Sequence, residues 1–438
     1  MSGIAEVLLN LGYPVSGSDL KRSNVTRRLK NKGGKVFYGH RKGNVDGSDV
    51  VVVSSAIARD NPELVEAGSR SIPIIQRAEM LAELMRFSKY GIAVSGTHGK
   101  TTTTSLVASV LYHGGQDPTM IIGGRVNSFR ANARLGKGDF MVAEADESDG
   151  SFLKLSPSVV VITSIDREHM DFYHDFSRMK EAYLAFTGKI SFYGAAICCI
   201  DHPVVCELIP KIRKRVIPYG FSEGAYVSAK NESFDGPTSS YDLWIGGEKK
   251  GRVKLNLPGR HNILNSLAAV AVAMELNIPL PKVMKAFRGF KGIQRRCEVL
   301  LKNSSITVID DYGHHPEEIR ATLKAVRGAY AGRLVTLFQP HRFTRTKDLF
   351  KDFPAAFDVT DVLLMTDIYP AGETPIPRVN SRALAKTISK KGKKTVYLPK
   401  NKKIVDEVIK ILQPGDVLLT LGAGDVTKIG HEIARRLK

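Results

Sequence analysis

The chain has 438 residues, and its 64 Lys and Arg residues exceed its 44 Asp and Glu residues, so the formal net charge is +20 at pH 7. At roughly 150 residues per domain, this length predicts about three domains. With 43% hydrophobic and 25% charged residues the composition is that of a globular protein, which excludes disordered, collagenous and coiled-coil classes. No apolar run reaches the roughly 18 residues of a membrane span, and the first residues do not form a signal peptide pattern.

The excess positive charge leaves three explanations open: a basic surface in general, anionic small substrates such as nucleotides, or nucleic acid. The densest basic stretch, 390–403, holds seven lysines and one aromatic residue, Tyr397. A protein that binds single strands interleaves several stacking aromatics with its cations, so nucleic acid is not expected as a partner. The four cysteines form no C-x-x-C pair, which favours a reducing cytoplasm.

Short apolar runs alternate with longer amphipathic stretches along the chain. Near-continuous apolar runs are typical of parallel strands covered on both faces. The predicted strands, in chain order, are 50–53, 91–94, 159–162 and 334–337. Helices are predicted at 78–87 and 265–275, and this alternation predicts an α/β fold with doubly wound parallel sheets. The polar, glycine-rich region 226–254 is expected to be a small antiparallel excursion.

Two domain boundaries are predicted. The first lies near 88–89, between a predicted helix and the strand that leads into a glycine loop, and the second lies near 294–297, after a glycine-containing turn. The predicted domains are 1–88, 89–295 and 296–438.

The most informative segment is Ala93–Thr103, where an apolar strand enters a glycine loop that continues into an apolar-periodic helix. This context predicts a P-loop, in which backbone amides and the helix N-terminus face phosphates, Lys100 reaches the β- and γ-phosphates and the Thr101 hydroxyl holds Mg²⁺. Position 94 is Val where the general signature has Gly, so an incidental glycine-rich turn remains the alternative. The predicted nucleotide-binding residues are Gly96, Thr97, His98, Gly99, Lys100, Thr101 and Thr102.

Two later strand ends carry candidate metal ligands. The run 140–143 ends in an acidic cluster that begins at Glu144, and the run 159–162 is followed by His169. Oxygen ligands at the carboxyl end of a strand beside a P-loop strand suit Mg²⁺. A solvated acidic turn and a surface or capping histidine are the alternatives.

Five motifs, taken together and in this order, resemble the Mur ligase family. They are 96–101, 144–149, 259–265, 310–316 and 341–346. The resemblance covers essentially the whole chain. It implies three domains: a Rossmann-like domain for a UDP-sugar, a central P-loop ATPase-like parallel sheet with the antiparallel excursion, and a Rossmann-like C-terminal domain.

The resemblance also implies a reaction, because the motifs are closest to those of the family member that adds L-alanine. ATP would phosphorylate the lactyl carboxylate of UDP-N-acetylmuramate, and the amine of L-alanine would attack the acyl phosphate. The implied setting is cytoplasmic peptidoglycan precursor synthesis, with no nucleic acid or membrane partner. The oligomeric state, monomer or homodimer, stays open.

Residue roles follow from motif position alone. The implied metal ligands are Thr101, Glu144 and His169. The implied ATP-contacting residues beyond the P-loop are His261, Asn262, Asn265 and Asp311. The implied substrate-binding residues are Asp19, Ser54, Ser148, Asp149, Tyr312, His314, Arg342 and Arg345. Lys100, His314, Arg342 and Arg345 are the implied catalytic group, with His314 a candidate base and the arginines a fork for the alanine carboxylate.

The sequence departs from the family pattern in two places. Ser164 and Asp166 stand where the family usually has Asn and Glu, and both replacements keep oxygen groups. Family members normally begin with a strand and a G-x-G-x-x-G loop, of which Ser2 and Gly3 correspond to the end. We expect either that the sequence begins inside this motif because its start is misassigned or trimmed, or that a shortened first domain binds the UDP-sugar weakly. In both cases the strands that would flank the first strand should have unpaired backbone groups.

Three rival functions remain at this stage. A ligase that recycles whole peptides onto the same UDP-sugar would share the fold and most motifs. A nucleotide-binding homologue with impaired catalysis is the second rival, because of the short first domain. A nucleic-acid-dependent ATPase is the third.

Overall fold

The computed structural model describes residues 1–54, 56–129 and 131–438, and within these residues the strands form four sheets. None of the helices it describes is both long and apolar enough to cross a membrane. The predicted α/β class is confirmed, since all four sheets are wholly or mainly parallel and helices alternate with their strands.

The N-terminal part contains two separate two-stranded parallel sheets. Its strands are β1 Ser16–Asp19, β2 Lys35–Tyr38, β3 Val51–Val53 and β4 Ile74–Gln76. Its helices are α1 Ser2–Asn10, α2 Asn24–Asn31, α3 Pro62–Ser69 and α4 Arg77–Arg86. β1 pairs with β2 and β3 pairs with β4, and in the described residues no strand lies between the two pairs. This agrees with the expectation of unpaired strand neighbours in this part.

A ten-stranded sheet forms the central part. Its strands are β5 Tyr90–Ser95, β6 Thr119–Val126, β7 Ala131–Arg134, β8 Phe140–Glu144, β9 Val159–Ile162, β10 Ala195–Cys199, β11 Arg215–Gly220, β12 Val227–Asp235, β13 Thr238–Ile245 and β14 Glu248–Leu255. The order across the sheet is β14-β13-β12-β11-β10-β9-β5-β8-β6-β7. β12, β13 and β14 pair antiparallel, so the predicted antiparallel excursion is confirmed.

Helices cover both faces of this sheet. They are α5 Lys100–His113, α6 Met170–Tyr173, α7 Phe176–Gly188, α8 Pro203–Leu208, α9 Arg260–Glu275 and α10 Leu280–Arg288. Apolar side chains from the two faces enter two separate clusters, one with α5 and α9 and the other with α7. Burial on both faces is the reason that β5, β8 and β9 read as continuous apolar runs. Ile4 and Val7 of α1 join the second cluster, which docks the N-terminal helix on the central part.

The C-terminal part has a six-stranded sheet in the order β15-β16-β20-β17-β18-β19, with only β15 antiparallel. Its strands are β15 Glu298–Lys302, β16 Ile306–Asp311, β17 Leu334–Phe338, β18 Val362–Met365, β19 Thr395–Tyr397 and β20 Asp416–Leu421. Its helices are α11 Pro316–Ala329, α12 Phe343–Asp348, α13 Phe353–Ala356, α14 Ser381–Lys390, α15 Ile404–Ile411 and α16 Val426–Arg436.

The topology brings the predicted motifs to two facing strand edges. In the central sheet β5 lies between β8 and β9, so the loops that follow these three parallel strands start side by side. In the C-terminal sheet β16 and β17 flank β20, and the loops after them carry the other motifs. Ligands of open α/β sheets bind at such carboxyl ends.

Candidate active site

The glycine loop between β5 and α5 has a backbone that side chains would block. Gly96 and Gly99 have φ angles of 131° and 81°, which L-residues rarely adopt. A Cβ atom on Gly99 would lie 2.6 Å from Oδ1 of Asn265, and one on Gly96 would overlap the hydroxyl of Thr163. The glycines are therefore required both by the loop conformation and by the close approach of neighbouring segments.

The loop is tied to the segment after β9. The backbone N–H of Thr97 donates to the carbonyl of Ser164 at 3.0 Å, and that of His98 donates to the Ser164 hydroxyl, also at 3.0 Å. The N–H of Asp166 donates to the Thr97 hydroxyl at 2.8 Å. Ser164, which departs from the family pattern, thus supplies the acceptor that holds the loop.

Lys100 begins α5 and forms the principal charged contact of the loop. Its ammonium donates to the carbonyl of Gly96 at 2.6 Å and to the two carboxylate oxygens of Glu147 at 2.6 and 2.9 Å. Glu147 is fully buried. Burial raises the pKa of Glu147 and the charge of Lys100 opposes that shift, while the nearby carboxylates raise the pKa of Lys100 against the effect of burial. Glu147 is thus the counter-ion of the lysine that is predicted to meet phosphate.

Glu144 ends β8 and is the centre of the predicted metal site. Its Oε1 accepts from the backbone N–H of Gly123 at 2.8 Å, and the hydroxyl of Thr101 lies within hydrogen-bonding reach. Burial raises the pKa of Glu144, and the charges of Lys100 and Arg296 oppose this. A half-buried carboxylate beside a threonine hydroxyl is a hard oxygen donor set, which fits Mg²⁺.

His169, the third predicted metal ligand, caps α6 with a left-handed φ of 57°. Its Nε2 lies 3.5 Å from Glu168. Burial lowers the pKa of His169, Glu168 opposes this, and the charges of Lys100 and Arg345 lower it further. His169 therefore lies within range of both the P-loop lysine and an arginine of the C-terminal part.

A second group of possible metal donors crosses the interface. Atoms of His98, Glu168 and His315 all lie within 4.8 Å of one another. The two ring nitrogens of His98 already face the carboxylates of Asp166 and Glu318, at 3.1 and 3.4 Å. We therefore treat this group as an ion-pair cluster.

The predicted asparagines of α9 connect the glycine loop to the N-terminus of that helix. Asn265 accepts from the Thr103 hydroxyl at 3.0 Å and donates to Asn262 at 3.1 Å, and Asn262 donates to the carbonyl of Pro258 at 2.7 Å. His261 lies one residue before Asn262, and burial lowers its pKa to about 4. These contacts make a continuous polar path along the start of α9.

A cavity of about 330 Å³ lies at the end of this path, between the central and C-terminal parts. Its walls come from the start of α9, including Gly259 and His261, and from α11, including Arg320, Lys324 and Gly328. Its size and mixed lining suit a planar base or sugar.

The loop after β16 carries Asp311, Tyr312 and His314. Asp311 accepts from the backbone N–H groups of Cys297 and Gly313, both at 2.8 Å, and from the Thr322 hydroxyl at 3.2 Å. Asp311 thus shapes this loop through contacts on both carboxylate oxygens. Its predicted contact with ATP stays a prediction.

His314 is positioned as a neutral imidazole. Its Nδ1 lies 3.2 Å from the carbonyl of Tyr312 and 3.4 Å from Glu318. Burial lowers the pKa of His314 to about 4, and the charge of Glu318 opposes that shift. A neutral ring can accept a proton, which is the state that a base requires.

The two predicted arginines lie at the start of α12. Arg342 has a φ of 70°, and its Nε donates to Glu373 at 2.5 Å. Arg345 lies 3.3 Å from Nδ1 of His341, whose ring stacks on Tyr369 with centroids 5.6 Å apart. The charge of Arg345 also acts on His314 and Glu168. Arg345 therefore faces the central part, whereas Arg342 is held by Glu373.

The remaining predicted substrate residues lie on loops of the first two parts. Asp19 ends β1 and accepts from the N–H of Lys21 at 3.0 Å, and Ser54 follows β3. Ser148 and Asp149 follow Glu147, with Ser148 bonded through its N–H to Asp146 at 3.0 Å. No measured contact tests their predicted roles.

Four charged residues of the site were missed by sequence reasoning. Glu147 lies within the motif 144–149, but its position in that motif indicates no role. Glu318 stands three residues after His315, the spacing of a helix capping box, and this signal could have identified it. Arg296, whose charge acts on Glu144, Asp311 and Glu318, and Glu373 had no motif signal.

Family models match most of the chain. The Mur ligase family catalytic domain matches residues 1–89, the Mur ligase middle domain matches 94–273, and the Mur ligase glutamate ligase domain matches 295–424.

Individual relatives are similar over the full chain. A Geotalea uraniireducens protein named UDP-N-acetylmuramate–L-alanine ligase is 52% identical over 439 residues, which covers 100% of this chain and 96% of that protein. A Geobacter protein (strain M21) of the same name is 53% identical over 440 residues, covering 100% and 95%. The crystal structure of UDP-N-acetylmuramate-alanine ligase from Thermotoga maritima superposes with a TM-score of 0.85 at 27% identity, covering 100% of this chain and 96% of that one.

Proposed function

The chain belongs to the Mur ligase family, and we propose that it joins L-alanine to the lactyl carboxylate of UDP-N-acetylmuramate while ATP is converted to ADP and phosphate. The observation that carries this proposal is the contact of the phosphate loop with the C-terminal part. His98 of that loop lies 3.4 Å from Glu318, and the other oxygen of Glu318 accepts from the backbone N–H of His314 at 3.1 Å. The loop that is proposed to hold phosphate and the loop that is proposed to bind the amino acid are therefore neighbours.

A carboxylate is a poor acyl donor, and phosphorylation provides it with a leaving group. The ammonium of Lys100 would neutralise the γ-phosphate as the two anions approach, because preorganised cations stabilise charge in the transition state. Glu147 keeps that ammonium beside the loop, 2.6 Å from its carboxylate. The carboxylate of the sugar would then be converted to an acyl phosphate at the carboxyl ends of β5 and β8.

Mg²⁺ would be held by Glu144 and Thr101, with His169 as a third ligand. The fit rests on the half-buried carboxylate of Glu144 beside the Thr101 hydroxyl. When bound, the ion supplies charge neutralisation between phosphate oxygens. The polar path along α9 and the cavity beside His261 would take the ribose and base of ATP.

The amino acid would be bound by the C-terminal part. A guanidinium binds a carboxylate through two parallel hydrogen bonds, so Arg345 is the proposed partner of the alanine carboxylate. Arg342, held by Glu373, would set the position of the α12 start. By its motif position, His314 is the proposed acceptor of the proton that the alanine ammonium must lose before attack.

The test is a ligation assay with purified protein, UDP-N-acetylmuramate, ATP, Mg²⁺ and radiolabelled L-alanine. We expect label in the UDP-sugar pool, and Lys100→Ala should abolish it. The Geotalea uraniireducens relative serves as the positive control. Absence of label while that control reacts would refute the proposal.

Three rival functions have distinct outcomes. A peptide-recycling ligase would prefer a tripeptide to alanine in direct competition, although the name of the relatives at 52–53% identity supports alanine. A homologue with impaired catalysis would bind ATP without forming acyl phosphate, so positional isotope exchange in ATP identifies it. ATP turnover that is unchanged by added DNA or RNA would count against a nucleic-acid ATPase.

The wider setting is also proposed. We place the reaction in the cytoplasm, where the reducing environment suits four free cysteines. We retain 1–88, 89–295 and 296–438 as the proposed domains, with monomer or homodimer as the open alternatives for assembly.

A further inference from the structure

The side chain of His98 joins the central and C-terminal parts. Its Nε2 lies 3.1 Å from a carboxylate oxygen of Asp166, and its Nδ1 lies 3.4 Å from one of Glu318. Asp166 follows β9 of the central sheet, whereas Glu318 belongs to α11. One imidazole from the phosphate loop therefore contacts carboxylates of both parts.

The charge state of His98 strengthens this contact. Burial alone would lower the pKa of His98, but the neighbouring carboxylates Asp166 and Glu318 raise it to about 10. The ring is thus a cation at neutral pH, and each of its nitrogens forms an ion pair with one carboxylate.

The backbone of His98 is fixed within the phosphate loop. Its N–H donates to the Ser164 hydroxyl at 3.0 Å, and its carbonyl accepts from the Thr163 hydroxyl at 2.5 Å. The backbone that carries the ring is therefore part of the loop that is proposed to hold phosphate. Movement of the loop is therefore transmitted to the ring.

Glu318 transmits the contact into the amino-acid site. One of its oxygens faces His98, and the other accepts from the backbone N–H groups of His314 and His315 at 3.1 and 3.3 Å. This is the capping box that starts α11. His314, the proposed base, is therefore two contacts away from the phosphate loop.

We propose, on the basis of the function proposed above, that His98 is a positioning residue that couples the phosphate loop to the amino-acid site through Glu318. In this role His98 acts through Glu318 rather than on the reacting atoms. It sets where the Tyr312–His314 loop stands relative to Lys100. The L-alanine step should therefore depend on His98 more than nucleotide binding does.

The experiment compares His98→Asn, Glu318→Gln and the double variant with the full-length wild type. Measurements are kcat and KM for L-alanine in the ligation assay and Kd for ADP by calorimetry. We expect kcat/KM for L-alanine to fall about tenfold in His98→Asn, equivalent to one charge-assisted contact, while Kd for ADP changes by less than about twofold. The double variant should lose no more activity than the more impaired of the two single variants, because both changes break the same His98–Glu318 contact.

A matched control is His202→Asn. His202 lies 3.2 Å from the other oxygen of Asp166 but connects it to Ile165 within the central part. This variant should keep wild-type kinetics for L-alanine. Fluorescence of Trp244 during urea unfolding checks that each variant is folded.

Three outcomes would overturn the inference. Equal losses of ADP affinity and of kcat/KM would show that His98 only shapes the phosphate loop. Fully additive losses in the double variant would show that His98 does not act through Glu318. If His202→Asn lowered kcat/KM for L-alanine as much as His98→Asn does, the effect would come from the contact with Asp166 rather than from the contact with Glu318. A wild type that binds ADP but does not ligate alanine would instead refute the proposed function itself.

Discussion

Replacing Glu147 by Gln tests the counter-ion of the P-loop lysine. At the observed separation of 2.6 Å between Lys100 Nζ and Glu147 Oε1, the gross attraction is about 6 kcal/mol with an effective dielectric constant of about 20. Desolvation of the two charges cancels part of this attraction. Removing one partner of a buried pair costs about 3–5 kcal/mol, and the amide retains one acceptor, so we expect a loss of about 2–3 kcal/mol.

The assay uses the single tryptophan of the chain. Trp244 is on β13, in the same sheet as β5, so its fluorescence reports unfolding of the central part rather than of the whole molecule. A loss of about 2–3 kcal/mol should lower the melting temperature of that part by about 5–10 °C. Lys100→Met and the double variant complete a mutant cycle, in which the coupling between the two residues should be clearly favourable.

The matched control is Glu248→Gln. Its carboxylate pairs with Lys250 at 2.5 Å in the same part of the molecule, but 75% of the Glu248 side chain is exposed. An exposed pair contributes little, so this control should unfold like the wild type. A wild-type melting temperature for Glu147→Gln would refute the argument that burial makes Glu147 the essential counter-ion. A mutant cycle that shows no coupling between Lys100 and Glu147 would refute it as well.

Three further predictions concern nucleotide binding, amino-acid binding and pH. Gly99→Ala should weaken ADP binding at least about tenfold in calorimetry, because the new Cβ would lie 2.6 Å from Asn265. The control Gly115→Ala, at a glycine with a similar φ and no atom within 4 Å of the new Cβ, should bind ADP like the wild type. Unchanged ADP binding by Gly99→Ala would refute the argument from close packing. Arg345→Ala should raise KM for L-alanine about tenfold with ADP affinity unchanged, and an unchanged KM would exclude Arg345 from the amino-acid site. His261 has a pKa of about 4 in the folded protein, whereas the ordinary value is 6.5. Between these two pH values the unfolded chain binds a proton that the folded protein does not. The free energy of unfolding should therefore fall as the pH drops from 6.5 towards 4. In unfolding experiments followed by Trp244 fluorescence, the stability of His261→Gln should depend less steeply on pH in this range than that of the wild type. An equally steep dependence in the variant would contradict the lowered pKa of His261.

The phosphate loop could be predicted from sequence because its requirements are local. Gly96, Gly99, Lys100 and Thr101 lie within six residues, and the loop conformation, the helix start and the phosphate-facing amides all depend on that short segment. The antiparallel excursion was predictable for the same reason, since β12, β13 and β14 pair with their sequence neighbours.

The charge partners of the site were decided by tertiary structure. The sequence placed Lys100, His98 and Arg342 in motifs, but it could not show that their partners are Glu147, Glu318 and Glu373. Each partner lies on a different element, and only the packing of two sheet edges and their loops brings the charges within 2.5–3.4 Å. By itself the sequence determined the family, the strand and helix pattern and the types of residue available for chemistry. The fold decided which carboxylate holds which cation, because ion pairing depends on distances and burial that segments far apart in the chain acquire only after they pack together.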